Sequence, residues 1–153
     1  MAQLFSAETY INAVMDQPLE RRIPLPPNDY VGIIQKVEAR QWSSKSDPSK
    51  SGVALDISIQ LDLPFEVQQE CQMDKPLLTI RDSVMLDLTE NGALAQGPGQ
   101  NRRLRGYREA THKNQLGVPF SPKDLVGCLI KVRIVHDLYE DQPIEKITAV
   151  TEA

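Results

Sequence analysis

The sequence is poor in aromatic residues, cysteine and histidine. Its 153 residues hold one tryptophan, four tyrosines, three phenylalanines, two cysteines and two histidines. Cys71 and Cys128 suit a reducing compartment, and Cys128 sits in an apolar strand pattern where a small hydrophobe belongs. His112 and His136 offer no Cys/His spacing for zinc, and no glycine loop matches a nucleotide-binding fingerprint. Asp82, Asp87, Asp137 and Asp141 read as scattered surface acids rather than ligands of a divalent ion, and His136-Asp137 as a solvated turn. Neither a disulfide, a metal, a cofactor, a catalytic residue nor enzyme activity is expected. No apolar run approaches the length of a membrane span, and MAQLFSAETY lacks a basic segment leading into an apolar one. A cytoplasmic protein with no membrane partner is therefore expected.

What the chain does have is the makeup of one ordinary domain, with 41% hydrophobic and 25% charged residues and no internal repeat. Residues 3–16 predict a short helix with Ser6 as its cap and Tyr10, Ile11 and Val14 at helical spacing, preceded by Leu4 and Phe5. IPLPPND (23–29) cannot continue it, because prolines at 24, 26 and 27 hold the chain extended. Residues 1–28 thus read as an arm and residues 29–153 as the body.

The body is written in strands. YVGIIQKVEARQW (30–42) places Val31, Ile33, Val37 and Ala39 on one face and Lys36, Glu38, Arg40 and Trp42 on the other. VALDISIQLDL (53–63) alternates strictly between apolar and small or polar residues, the pattern of an antiparallel strand with one wet face. LLTIRDSVMLDL (77–88), CLIKVRIVHDL (128–138) and PIEKITAV (143–150) complete five strands, and FSPKDLVG (120–127) predicts a helical turn with Ser121 as cap. SSKSDPSKSG (43–52) is a polar loop and TENGALAQGPGQ (89–100) a turn-rich excursion, and residues 43–52 and 90–100 are expected to be mobile. The fold class is mainly β. Five antiparallel strands with a helix between the third and fourth point to an OB-fold-like barrel, with an open sandwich as the alternative.

The helix between those strands is NRRLRGYREATHKN (101–114), which gathers five of the seventeen lysines and arginines of a chain with net charge −4. Leu104, Tyr107 and Thr111 share one face, and Arg102, Arg105, Arg108, His112 and Lys113 fall largely on the opposite one. Gly106 costs roughly 1 kcal/mol relative to alanine inside a helix, so close packing is expected there. Such cations can simply solvate an exposed face, but the arginine fork also matches phosphate oxygens. A second basic set adds weight to the phosphate reading. Lys36, Arg40 and Trp42 share a face of the first strand, Arg81 lies on the polar face of the third, and Lys45 and Lys50 sit in the loop beside Trp42. Cations around an aromatic ring on a sheet hold single strands without reading sequence, because bases stack and phosphates meet the charges. Tyr30 and Tyr139 are further candidates for stacking. Acidity overall is no bar, since binding follows the local field.

The segments FSAETYINAV…IPLPPNDYVGII and NRRLRGYREATHKN…FSPKDLVGCLIKVRIVHD…PIEKITAV resemble the phage-encoded OB-fold single-stranded-DNA-binding proteins, with an arm before the first strand and a basic helix and L-x-G turn before the closing hairpin. The resemblance covers most of the chain and implies non-catalytic binding of single-stranded DNA in phage replication or recombination, inside a bacterial host. Replication or recombination proteins and further copies of the chain are the partners it suggests. Many such proteins end in an acidic tail that recruits partners. Here Val150-Thr151-Glu152-Ala153 follows the last strand, and recruitment by a tail is not expected. The rival reading is a non-catalytic protein-interaction or assembly module on an OB-like barrel, favoured by the net acidity and the few aromatics.

Overall fold

A long first strand organises the molecule. The computed structural model describes residues 5–153, and β1 (Asn28–Ser43) pairs along most of its length with β2 (Ser51–Asp62) and over its first residues with β4 (Leu129–Tyr139). β3 (Leu77–Met85) lies outside β2, and β5 (Gln142–Glu152) lies outside β4. All pairings are antiparallel in the order β3-β2-β1-β4-β5, so β3 and β5 are edges and no ladder joins them. The helices are α1 (Ala7–Ile11), α2 (Phe65–Glu70) and α3 (Arg102–Ala110), with a 3-10 turn at Pro122–Leu125.

One face of the sheet makes the core. Tyr30 and Ile34 from β1, Leu55, Ile57, Ile59 and Leu61 from β2, Val84 from β3, and Ile130, Val132 and Ile134 from β4 pack together. Leu104, Tyr107 and Ala110 of α3 close over them, and α3 lies chiefly against β5. Leu125 of the 3-10 turn plugs the same interior, and the Ser121 N–H donates to Asp124 Oδ2 at 2.9 Å. Gly32 also lies in this interior, where a Cβ would meet the Gln60 carbonyl oxygen at 2.9 Å, so only glycine lets β1 and β2 approach this closely.

The first strand corrects the sequence reading. Val31 and Ile33 point outward, at 40% and 42% exposure, while Tyr30, Gly32 and Ile34 point in. The cause is a bulge: Ile34 faces Ile59 and Lys36 faces Ser58, so Gln35 is an extra residue and the alternation changes phase there. Beyond it Val37 packs against the core as expected, although Ala39 stays exposed. Tyr30 is thereby a core residue and not a stacking candidate, whereas Tyr139 is exposed.

The helices also differ from expectation. The arm helix covers only Ala7–Ile11 and buries no side chain, and Ser6 makes no capping bond. Gln3 and Leu4 lie outside the described residues. Helix α3 ends at Ala110 instead of 114, with Thr111 bonding back to Tyr107 and His112 in a left-handed turn. Asn101 holds the N-cap position in a left-handed conformation without a side-chain capping bond: its side chain accepts the Asp87 N–H at 2.8 Å and donates to the Asp87 and Ala95 carbonyls. Those bonds tie part of the 89–100 loop to the body. Gly106 has no atom near the place of a Cβ, so the packing expected there is absent. Helix α2 was not foreseen, and Val67 and Cys71 carry it into the core.

The arm joins the body through Arg22, Leu25 and Pro26. Arg22 forms an ion pair with Glu145, the Leu25 N–H donates to Glu145 Oε2 at 2.6 Å, and the Leu25 carbonyl accepts from His136 Nε2 at 2.6 Å. The Leu25 side chain is fully buried, and the Tyr30 hydroxyl donates to the Pro26 carbonyl at 2.6 Å.

Candidate nucleic-acid interface

Side chains of directly paired strand residues leave the sheet on the same side, so the register fixes what shares the outer face. Lys36 pairs with Ser58, and Ser58 with Arg81, placing two cations in one row across three strands. The next rows are Glu38, Asp56 and Ser83, then Arg40, Ala54 and Met85, then Trp42 opposite Gly52. The bulge lies before Lys36, so the phase of this half matches the sequence reading. Lys36, Arg40, Trp42 and Arg81 therefore stand on one face.

These groups are not equally free. Asp56 is only 7% exposed although it lies on the outer face, because it accepts the Ser83 hydroxyl at 2.7 Å and Arg40 Nε at 3.0 Å. The Ser83 hydrogen bond, and then that of Arg40, hold its carboxyl below the usual carboxylate range. Lys36 reaches Glu38 at 2.8 Å. Arg81 has no carboxylate within ion-pair distance among the described residues, so it is the uncommitted cation of the row.

Trp42 is half-buried and lies against Gly52, where an added Cβ would come within 2.8 Å of the ring. A glycine opposite an aromatic lets the ring cover the strand backbone. The ring Nε1 is enclosed without a hydrogen-bond partner among the described residues. Lys45 and Lys50 are exposed on the adjoining loop. That loop is built as a turn: the Ser44 N–H donates to the Lys50 carbonyl at 2.9 Å, and Asp47 Oδ1 accepts from the Ser49 N–H at 3.1 Å.

The helix arginines form a separate set. Tyr107 and Leu104 pack α3 on the inner face, opposite the outward cations. Arg102 is exposed, and Arg105 is exposed beside Glu109 at 3.5 Å. Arg108 stacks 4.4 Å from the Phe120 ring and donates to the Lys113 carbonyl at 3.1 Å, which makes it a structural clamp. Arg105 and Arg108 line a groove of about 450 Å³ against Gly97, Pro98 and Gly99. The sheet set and the helix set do not merge into one surface.

Arg103 was passed over in the sequence. It donates to Asp82 Oδ1 at 2.9 Å and through its other amino group to Oδ2, which also accepts the Tyr107 hydroxyl at 2.6 Å. The signal was present: with Arg81 outward, Asp82 must point inward, and a buried acid needs a partner. A second cleft, of about 460 Å³, opens between edges β3 and β5 and is lined by Arg22, Arg81, Asp82, Arg103, Glu145 and Lys146.

Among the described residues no three His, Cys, Asp or Glu side chains converge on a metal position. No helix among them is long and apolar enough to cross a membrane. No protein-family model and no curated protein matches the chain.

Proposed function

We propose that this chain is a non-catalytic protein that binds single-stranded DNA without reading its sequence, in phage DNA replication or recombination inside a bacterial cell. The observation that carries the reading is the register: Lys36 and Arg81 in one row, with Arg40 and Trp42 further along the same face and Lys45 and Lys50 on the loop beyond. A strand lying there would set a base against the outer side of the Trp42 ring and pass its phosphates over the cations. The open order β3-β2-β1-β4-β5, with the helix between β3 and β4, supports an OB-like reading of this five-stranded antiparallel sheet. Oligonucleotides bind OB barrels on such a sheet face and its flanking loops.

The test is titration with oligo-dT across a salt series, followed by the fluorescence of Trp42, the one tryptophan. If Lys36, Arg40, Lys45, Lys50 and Arg81 each neutralise one phosphate, log K falls with log salt with a slope of roughly −3.5 at most. The bound pairs Arg40–Asp56 and Lys36–Glu38 make a shallower slope the expected result. Absence of binding at low salt would overturn the proposal. Those same two internal pairs favour the second reading, a protein-interaction or assembly module, which that result would leave standing.

A further inference from the structure

We infer that the arm of one chain docks on the outer sheet face of a second copy, and reciprocally, so that the protein pairs by exchanging arms. Four observations carry this. First, the arm's N-terminal half exposes an apolar series: Ile11, Met15 and Leu19 are exposed, Val14 is 91% exposed, Phe5 and Tyr10 are exposed and stack only on each other among the described residues, and α1 buries nothing. A helix of five residues gains little from its own hydrogen bonds in water. An exposed apolar series of this kind marks an interaction site.

Second, the sheet carries an apolar patch of its own. The bulge in β1 that turns Lys36, Arg40 and Trp42 outward also turns Val31 and Ile33 outward at the other end of the strand. Ile33 pairs with Leu129, which is 56% exposed, and Val31 with Lys131. A shallow dent of about 300 Å³, lined by Asp29, Val31, Asp62 and Pro64, adjoins them and would receive one large side chain.

Third, the charges match. Residues 5–20 contain Glu8, Asp16 and Glu20 and no lysine or arginine, and none of these acids is ion-paired among the described residues. Beside the patch, Lys131 has no carboxylate within ion-pair distance among the described residues, and Asp29 is neutralised by Arg133 at 2.9 Å. Asp62, in the row of Val31, opposes the arm's acids.

Fourth, the anchored end of the arm and the patch lie on opposite faces of the sheet. Leu25 anchors the arm in the inner core, and the patch lies on the outer face. Two copies related by a twofold axis give each arm a patch directly, because donor and acceptor surfaces are both present on one chain. The arm would cover the apolar end of the face and leave the Trp42 end clear.

The experiment is sedimentation equilibrium of the full chain without DNA, so that its outcome is separate from that of the DNA titration. The chain should be a dimer, and Val14→Asp in the arm and Ile33→Asp in the patch should each raise the dimer dissociation constant at least tenfold. An equimolar mixture of the two variants should recover a heterodimer, since one intact arm meets one intact patch. Both positions are exposed, so circular dichroism should not change. Should Ile33→Asp unfold, Leu129→Asp replaces it as the patch variant. A chain that stays monomeric up to its solubility limit overturns the inference, whether its arm remains free or folds back on its own sheet. A dimer that survives the patch variants also overturns it.

Discussion

The Tyr107 hydroxyl donates to Asp82 Oδ2 at 2.6 Å, joining the middle of α3 to the middle of β3. Burial, followed by the nearby Asp82 charge, pushes the phenol far above its usual range, so Tyr107 remains a neutral donor. Asp82 also holds Arg103, whose side chain is partly solvated, so the carboxylate has two partners of unequal cost. Tyr107→Phe should lose about 1–2 kcal/mol, the value of a hydrogen bond to a charged acceptor less the gain from removing a buried hydroxyl. Asp82→Ala should lose more, about 2–4 kcal/mol, because it strands both donors. Urea unfolding of the two variants checks the order, and equal losses would refute it.

Gly106 offers the opposite case. It sits inside α3 with no atom near the position of a Cβ, so a methyl group meets nothing. Gly106→Ala should therefore stabilise the protein by roughly 0.5–1 kcal/mol, through lower chain entropy in the unfolded state. A fall in the urea midpoint would mean that α3 needs glycine for a reason its surroundings do not display.

The acid end of the stability profile should depend on Asp56. Its folded carboxyl titrates below the usual range, chiefly through the Ser83 hydroxyl and then Arg40. The unfolded state therefore binds the proton more tightly. The contribution is fully present above about pH 4, where an unfolded aspartate is ionised, and is lost as the pH falls through the lower folded value. Asp29, lowered first by its hydrogen bond to Arg133, acts in the same direction. Wild type should lose more stability between pH 6 and pH 3 than Asp56→Asn does. Identical losses in the two proteins would remove Asp56 from the account.

How far the sequence was legible follows from where its alternation was unbroken. In β2 Leu55, Ile57, Ile59 and Leu61 share one parity, as do Ile130, Val132 and Ile134 in β4, and all are buried as that parity requires. In YVGIIQK both parities are apolar, so nothing local marks Gln35 as the extra residue, and the phase of Val31 and Ile33 was read wrongly. Lys36, Arg40 and Trp42 lie after the bulge and escaped that error. The helix was legible as a helix, but its charges were not. Arg103 and Arg108 look like Arg102 and Arg105 in the sequence, and only tertiary contacts with Asp82 and Phe120 separate clamps from free cations. Likewise Asp56 read as one polar residue of a wet face, whereas its neighbours across the strands bury it.

That buried acid supplies the sharpest test of the DNA-binding face. Arg40 and Asp56 form a pair with no net charge, so a phosphate arriving there displaces few counterions. Arg81 stands one row past Asp56, in the row of Lys36, and is not so compensated. Arg81→Ala should therefore lower the oligo-dT salt slope by roughly 0.7, the single-strand value for one phosphate. Arg40→Ala should change the slope less, yet weaken binding by exposing Asp56 to the strand. Asp56→Asn should do what no alanine variant does: it frees Arg40, raises the slope by about 0.7 and tightens binding at low salt. Trp42→Ala should cost about 1–3 kcal/mol of stacking with the slope nearly unchanged. Arg102→Ala and Arg105→Ala, on the opposite side of the sheet, should leave both quantities alone. If Asp56→Asn and Arg81→Ala are folded and bind as wild type does, the strand does not cross this face.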